Sequence, residues 1–274
     1  MKRIPLLLFL YSCLCTIFMT LPAFARNSIK TDPHIHKRIK EYRNIGLKMT
    51  FIDSSFELFQ GTHLTVEKNN DVIFEGNLRQ IEKDPDIITL GPVYRAFLFT
   101  TREGNRARTL VIALYDGKEF HVVDKVFLSQ GSYKLKDLDS DGVKEILVET
   151  DFFPCQWTSC SNIVYDLAIL KIDSVYGGIT DVTSKYPDRV MKYIRSYQKK
   201  IREIQKNNME DSLLKSGQIK QQLACLLVAY ISLGKESEGW DILRKQYNYS
   251  DKEKYFKELE GEIARHTYMY GHRY

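Results

Sequence analysis

The hydrophobic period of this chain changes near Asp181, and that change limits the fold more than any other feature. From Met49 to about Asp181 the apolar residues come in short runs broken by turn residues. Beyond it they recur at alternating steps of four and three, at Val190, Ile194, Tyr197, Ile201 and Ile204. Side chains alternate faces along a strand and return to one face every 3.6 residues along a helix. The chain therefore reads as α+β: an antiparallel β region followed by an α-helical C-terminal region.

Turn chemistry subdivides the β region. Asn69-Asn70-Asp71 and Asp116-Gly117 predict hairpin turns, the second leading into Phe120 to Phe127. Further strands are expected at Ser132 to Leu135, Ile146 to Val148 and Tyr165 to Ile172. Pro187 and Asp188 suit the start of a first long helix, ended by Asn207-Asn208. A second helix is expected from Met209 to Leu233, with Gly217 as a weak point. A third should run from Glu236 to Tyr247, and a fourth, capped by Ser250, to about Tyr268. Ahead of the strands, Asp32 as N-cap, Pro33 in the first turn and Gly46 as a stop predict a short helix carrying Ile35, Ile39 and Tyr42.

The chemistry is concentrated in Asp137-Leu138-Asp139-Ser140-Asp141-Gly142-Val143-Lys144-Glu145, where four carboxylates fall within nine residues. At ~4 Å each pair of such charges costs ~1 kcal/mol in water and ~4 kcal/mol at an effective dielectric of ~20. A hard cation that seeks oxygen turns that repulsion into attraction, and Ca²⁺ is the natural one. The alternative is an acidic surface turn neutralised by Lys136 and Lys144. A helix-flanked EF-hand would need glutamate at its twelfth position, which here is Val148, and the flanks read as strands.

The spacing of Asp137, Asp139, Asp141, Gly142 and Glu145 between strands resembles the calcium loop of FG-GAP and VCBS repeats, found in integrin-type propeller blades and in exported bacterial proteins. That resemblance implies side-chain oxygens from the three aspartates, the backbone carbonyl of Val143 and a ninth-position contact from Glu145. It also implies a partial propeller-like or sandwich arrangement for the β region.

The N-terminus sets the compartment. Lys2 and Arg3 precede an almost wholly apolar run from Ile4 to Leu21, and Pro22-Ala23-Phe24-Ala25 supplies an A-x-A cleavage pattern. Residues 1–25 are therefore expected to be a signal peptide, with an uncleaved anchor or acylation at Cys13 as alternatives. A β-rich domain over 26–182 and a helical region over 183–274 follow. Subtracting Lys2 and Arg3 from the 40 lysines and arginines leaves 38 against 35 acidic residues, a net +3. So balanced a chain, without a basic block, excludes a nucleic-acid footprint.

Export brings an oxidising compartment, in which Cys155 and Cys160 are the expected disulfide, worth about 2 kcal/mol for so short a loop. Cys225, inside the apolar run 223–228, is expected to be a buried thiol. Between the paired cysteines, Trp157 is a candidate ligand contact, and its other reading is a cover over a core containing Phe152 and Phe153. The histidines have no third metal ligand beside them. No nucleophile elbow, zinc helix or phosphate-binding glycine loop occurs in the sequence.

The sequence thus predicts an exported envelope protein, periplasmic or secreted, with one structural calcium and a binding or interaction role toward an envelope protein or glycan. It predicts no membrane span after signal cleavage. The alternative is a secreted hydrolase acting on cell-wall or glycan substrates through paired carboxylates, whose spacing would be spatial rather than sequential.

Overall fold

Among the described residues, twelve strands precede the α-helices. They are β1 (Ile35–Tyr42), β2 (Leu47–Phe56), β3 (Phe59–Lys68), β4 (Asp71–Ile81), β5 (Asp86–Leu90), β6 (Tyr94–Glu103), β7 (Ala107–Tyr115), β8 (Phe120–Ser129), β9 (Ser132–Lys136), β10 (Glu145–Thr150), β11 (Asp166–Ile172) and β12 (Ile179–Asp181). Four helices follow: α1 (Pro187–Lys206), α2 (Ser212–Ser232), α3 (Glu236–Gln246) and α4 (Lys252–Met269). These come from a computed structural model that describes residues 35–56, 59–103, 107–153, 156–159, 162, 164–173, 178–206 and 212–269. The expected signal peptide and both Cys155 and Cys160 lie outside the described residues.

The strands form two antiparallel sheets. The first has eight strands in the order β1-β2-β3-β4-β6-β7-β8, with β5 also paired to β6. The second has four, in the order β12-β11-β10-β9. Asn69 and Asn70, at φ 52° and 73°, make the β3–β4 turn, as the sequence predicts, because this turn type needs positive φ at both central residues. At the β7–β8 turn the Asp116 carboxylate accepts the N–H groups of Lys118 and Glu119, each at 2.8 Å.

Strands β6 and β7 bury both faces. Ala96, Leu98, Leu110, Ile112 and Leu114 enter one apolar layer, which they share with Ile146 and Val148 of β10 and Leu170 and Ile172 of β11. Phe97, Phe99, Val111, Ala113 and Tyr115 point the other way, into a core shared with Met49, Phe51, Leu64 and Val66. The first sheet therefore curls over its own face, while its other face packs on the second sheet. The second sheet is itself covered twice, since Leu167 and Ile169 on its far side pack with Val182, Tyr186 and Tyr193.

The helices have their own core. Val190, Ile194, Tyr197, Ile201 and Ile204 are the buried residues of α1, and they meet Leu223, Leu226 and Leu227 of α2. Cys225 is a buried free thiol in this core, and burial pushes its pKa well up. Phe152 and Phe153, from the segment after β10, complete it. Residues from His36 onward form one compact unit by their contacts.

One expectation fails. The stretch expected as a short N-terminal helix is an edge strand, β1, ended by a 3-10 turn over Arg43–Ile45 with Gly46 left-handed behind it. Its alternation decides this. Arg38 reaches Asp53 on the neighbouring strand at 3.1 Å and Lys40 reaches Asp84 at 2.9 Å, contacts available to residues two apart on a strand. A basic edge strand also discourages pairing with other chains.

Gly217 is a packing requirement. A Cβ built there would lie 2.1 Å from the carbonyl oxygen of Trp157, which runs beside α2. Gly217→Ala should therefore destabilise the protein by about 1–2 kcal/mol, the overpacking cost exceeding the ~1 kcal/mol gain in helix propensity. Gly261→Ala, where nothing lies within 4 Å, should be neutral or stabilising. Urea melts of the two variants decide between steric and propensity control.

Asp166 makes a pH prediction. Burial pushes its pKa up to about 7, offset in part by the Leu167 N–H and the Tyr197 hydroxyl. An unfolded aspartate titrates near ~4, so between about pH 4 and 7 the folded state binds the extra proton and stability falls as pH rises. Asp166→Asn should melt higher than the parent at pH 8, and the difference should vanish near pH 4. Equal melts at pH 8 would contradict this.

Candidate metal centre

The acidic loop joins β9 to β10, so antiparallel pairing brings its two ends together: Lys136 stands opposite Glu145 in the register. Within it the backbone wraps toward the carboxylates. Asp137 accepts the N–H of Ser140 at 2.7 Å and that of Gly142 at 3.0 Å. Asp139 accepts from Asp141 at 3.3 Å, and Asp141 from Val143 at 2.8 Å. Glu145 reaches back to the N–H of Leu138 at 2.8 Å. Gly142 supports this wrapping with φ 85°, a left-handed value that suits glycine.

The remaining oxygens converge. One carboxylate oxygen from each of Asp137, Asp139 and Glu145 lies within 4.8 Å of the other two. Oxygens sharing one Ca²⁺ at about 2.3–2.6 Å are at most roughly 5 Å apart, so the spacing and the all-oxygen donor set fit that ion. Glu145 is 0 % exposed, so its charge must be met inside the protein. Asp141, expected as a ligand, falls outside this triad. Val143, expected through its carbonyl, turns its side chain against the layer between the sheets.

The sequence reading missed Lys171. Its Nζ, carried on β11, sits 2.8 Å from Asp139 Oδ2, 2.6 Å from Asp141 Oδ2 and 3.1 Å from Glu145 Oε1. Hydrogen bonds from Lys171 and from the Val143 N–H hold the Asp141 carboxyl below the usual range. The same carboxylates raise the Lys171 ammonium far above its ordinary value. Ile146 pairs with Leu170, so Glu145 and Lys171 are the next cross-strand neighbours along that ladder. That adjacency was the available signal: a lysine within an apolar strand, Leu167 to Ile172, needs a partner. Neither Lys136 nor Lys144 is ion-paired to the loop acids among the described residues, so the counter-ion is not the one expected from sequence. Beside the loop a cavity of about 300 Å³, lined by Asp141, Val143, Lys171 and Lys185 among others, leaves space around the Lys171 stem.

The other expected positions fall elsewhere. Trp157 is half-buried, its ring 5.2 Å from Phe153 and edge-on to Tyr255 at 5.3 Å, with its N–H directed at Glu258. Asp151 and Asp166 are carboxylates raised by burial, to about 6 and about 7. They are 3 % and 5 % exposed and line none of the cavities of about 590, 580 and 300 Å³ among the described residues. A cavity of about 590 Å³ is lined by residues of the curled sheet, Thr62, His63, Arg79, Thr101, Thr109 and Lys125 with their neighbours. None of its lining residues is acidic. No described helix is long and apolar enough to cross a membrane.

Compared with known proteins, the chain matches no family model, no curated protein and no solved structure.

With no metal bound, Lys171 is what neutralises the buried Glu145. Lys171→Met should therefore cost about 1–3 kcal/mol in protein treated with chelator, because an unpaired buried carboxylate remains. Lys171→Arg should recover part of that loss. Thermal melts in excess chelator read the effect.

Proposed function

We propose that this is an exported envelope protein of the binding or interaction class, stabilised by one structural Ca²⁺ in the β9–β10 loop. The observation that carries the metal reading is the convergence of one carboxylate oxygen each from Asp137, Asp139 and Glu145, the last of them fully buried. Asp137, Asp139 and Glu145 would hold the ion, with Asp141 and the Val143 carbonyl available from the same loop. A cation already occupies that focus in the form of the Lys171 ammonium, so Ca²⁺ would displace it toward the neighbouring cavity.

The ion's role is support. It joins the ends of β9 and β10, whose apolar faces hold the two sheets together, and so fixes the mutual position of the sheets. Affinities of ~10⁻⁴ to 10⁻³ M are common for modules outside the cell and suit such a role. For the partner, the polar and acid-free cavity of the curled sheet favours a hydroxyl-rich ligand such as a glycan over an apolar one. The compartment rests on the N-terminal pattern of residues 1–25.

The test uses the mature chain. Excess chelator should lower the melting temperature of calcium-loaded protein, and Asp139→Ala with Asp141→Ala should abolish that response. Lys171→Met should bind Ca²⁺ at least tenfold more tightly than the parent by calorimetry, since the competing ammonium is gone. A melt indifferent to both chelator and added calcium, in parent and in Lys171→Met, would overturn the metal reading.

A further inference from the structure

The second sheet is covered unevenly on its far side. Helix α1 packs over β11, where Leu167 and Ile169 meet Tyr186 and Tyr193. Strand β9 is an edge strand of this sheet. The step between helix and sheet edge is a groove of about 580 Å³. Leu147 and Leu167 line it, and Lys134 and Lys136 border it from the strand side, Arg189 and Lys192 from the helix side.

The charges in this groove do not cancel. Glu149 is the one acidic residue in its lining, and it accepts a hydrogen bond from the Tyr193 hydroxyl. Lys134 approaches it only to 3.9 Å, with a side chain that is 73 % exposed. Lys136, Arg189 and Lys192 have no carboxylate partner among the described residues. Four cations around one engaged carboxylate leave an excess of three positive charges. An apolar floor rimmed by unpaired cations asks for a ligand that is anionic at one end and apolar at the other. The volume lies in the range of single small-molecule sites, which excludes a two-chain lipid buried whole.

We propose that this groove binds a single-chain anionic amphiphile, an aliphatic carboxylate or phosphate monoester, with its head among Lys134, Lys136, Arg189 and Lys192 and its chain on Leu147 and Leu167. None of the loop carboxylates lines this groove, so the proposal does not depend on the calcium reading. Head and tail both contribute: the cations select charge, and the leucines require a hydrocarbon segment.

The experiment is calorimetric titration of the full mature chain, in excess chelator, with decanoate and decyl phosphate below their micelle concentrations. Both should bind at one site. Decyl maltoside, with the same chain and no charge, and inorganic phosphate, with the charge and no chain, should each bind at least tenfold more weakly. Lys134→Glu combined with Lys192→Glu, two exposed positions, should weaken decanoate at least tenfold while the thermal melt stays unchanged. A second variant, Arg189→Gln, should give a smaller loss in the same direction. Equal binding of decyl maltoside would overturn the head-group assignment, and equal binding of inorganic phosphate would overturn the chain assignment. Binding only to anionic vesicles, with no response to monomeric decanoate, would make the groove a membrane contact and overturn the proposal as a whole.

Discussion

Ile146, Val148, Leu170 and Ile172 pack against Leu98, Leu110 and Ile112 in a single apolar layer, and the rest of the molecule depends on that layer. Each large aliphatic side chain so buried contributes roughly 1.5–3 kcal/mol. The layer lets both sheets hide a face, and β11 carries Leu167 and Ile169 on its other side. With one face committed to the eight-stranded sheet, the other must find a cover. The helical region provides it, with Val182, Tyr186 and Tyr193 closing over Leu167 and Ile169. The order of the chain, strands first and helices last, is therefore an order of layers.

The same constraint explains why the acidic loop sits where it does. Strands β9 and β10 must be in register for Ile146 and Val148 to reach the layer, and their connection is the nine-residue acidic stretch. Charge repulsion there would pry the two strands apart. Lys171 on the next strand offsets it by facing three carboxylates at once. The hairpin is thus tied at its loop end by an ion pair and along its length by apolar contact, and a metal ion would serve the first of these ties.

What was legible in the sequence follows from the range of the interactions. Helix α1 was read down to its individual buried residues, because Val190, Ile194, Tyr197, Ile201 and Ile204 repeat within a local period. The Asn69-Asn70 and Asp116-Gly117 turns were legible for the same reason, since their backbone demands are local. Strand β1 was misread because Asp32, Pro33 and Gly46 imitate helix ends, while its real partners, Asp53 and Asp84, lie 15 and 44 residues away from Arg38 and Lys40. Lys171 was missed because the loop acids it faces lie about 30 residues earlier in the chain. The groove under α1 could not be read at all. It exists because α1 and the β9 edge of the sheet leave a step between them, and no local pattern encodes that offset.

Lys171 also changes what kind of metal site this loop can be. A loop whose carboxylates had no internal cation would fold only when loaded, and its metal would contribute folding free energy outright, as in small zinc domains. Here an ammonium already satisfies Asp139 and Asp141 and faces Glu145, so metal is not required to offset the loop's repulsion. Calcium would then have to displace a good partner, and only the difference between the two cations would appear as stabilisation. That difference would favour a divalent ion, because four crowded carboxylates overmatch a single positive charge. It also shrinks as salt screens the exposed members, while Glu145, fully buried, is screened least. Affinity in such a loop is set less by the ligands it presents than by the lysine they have to release.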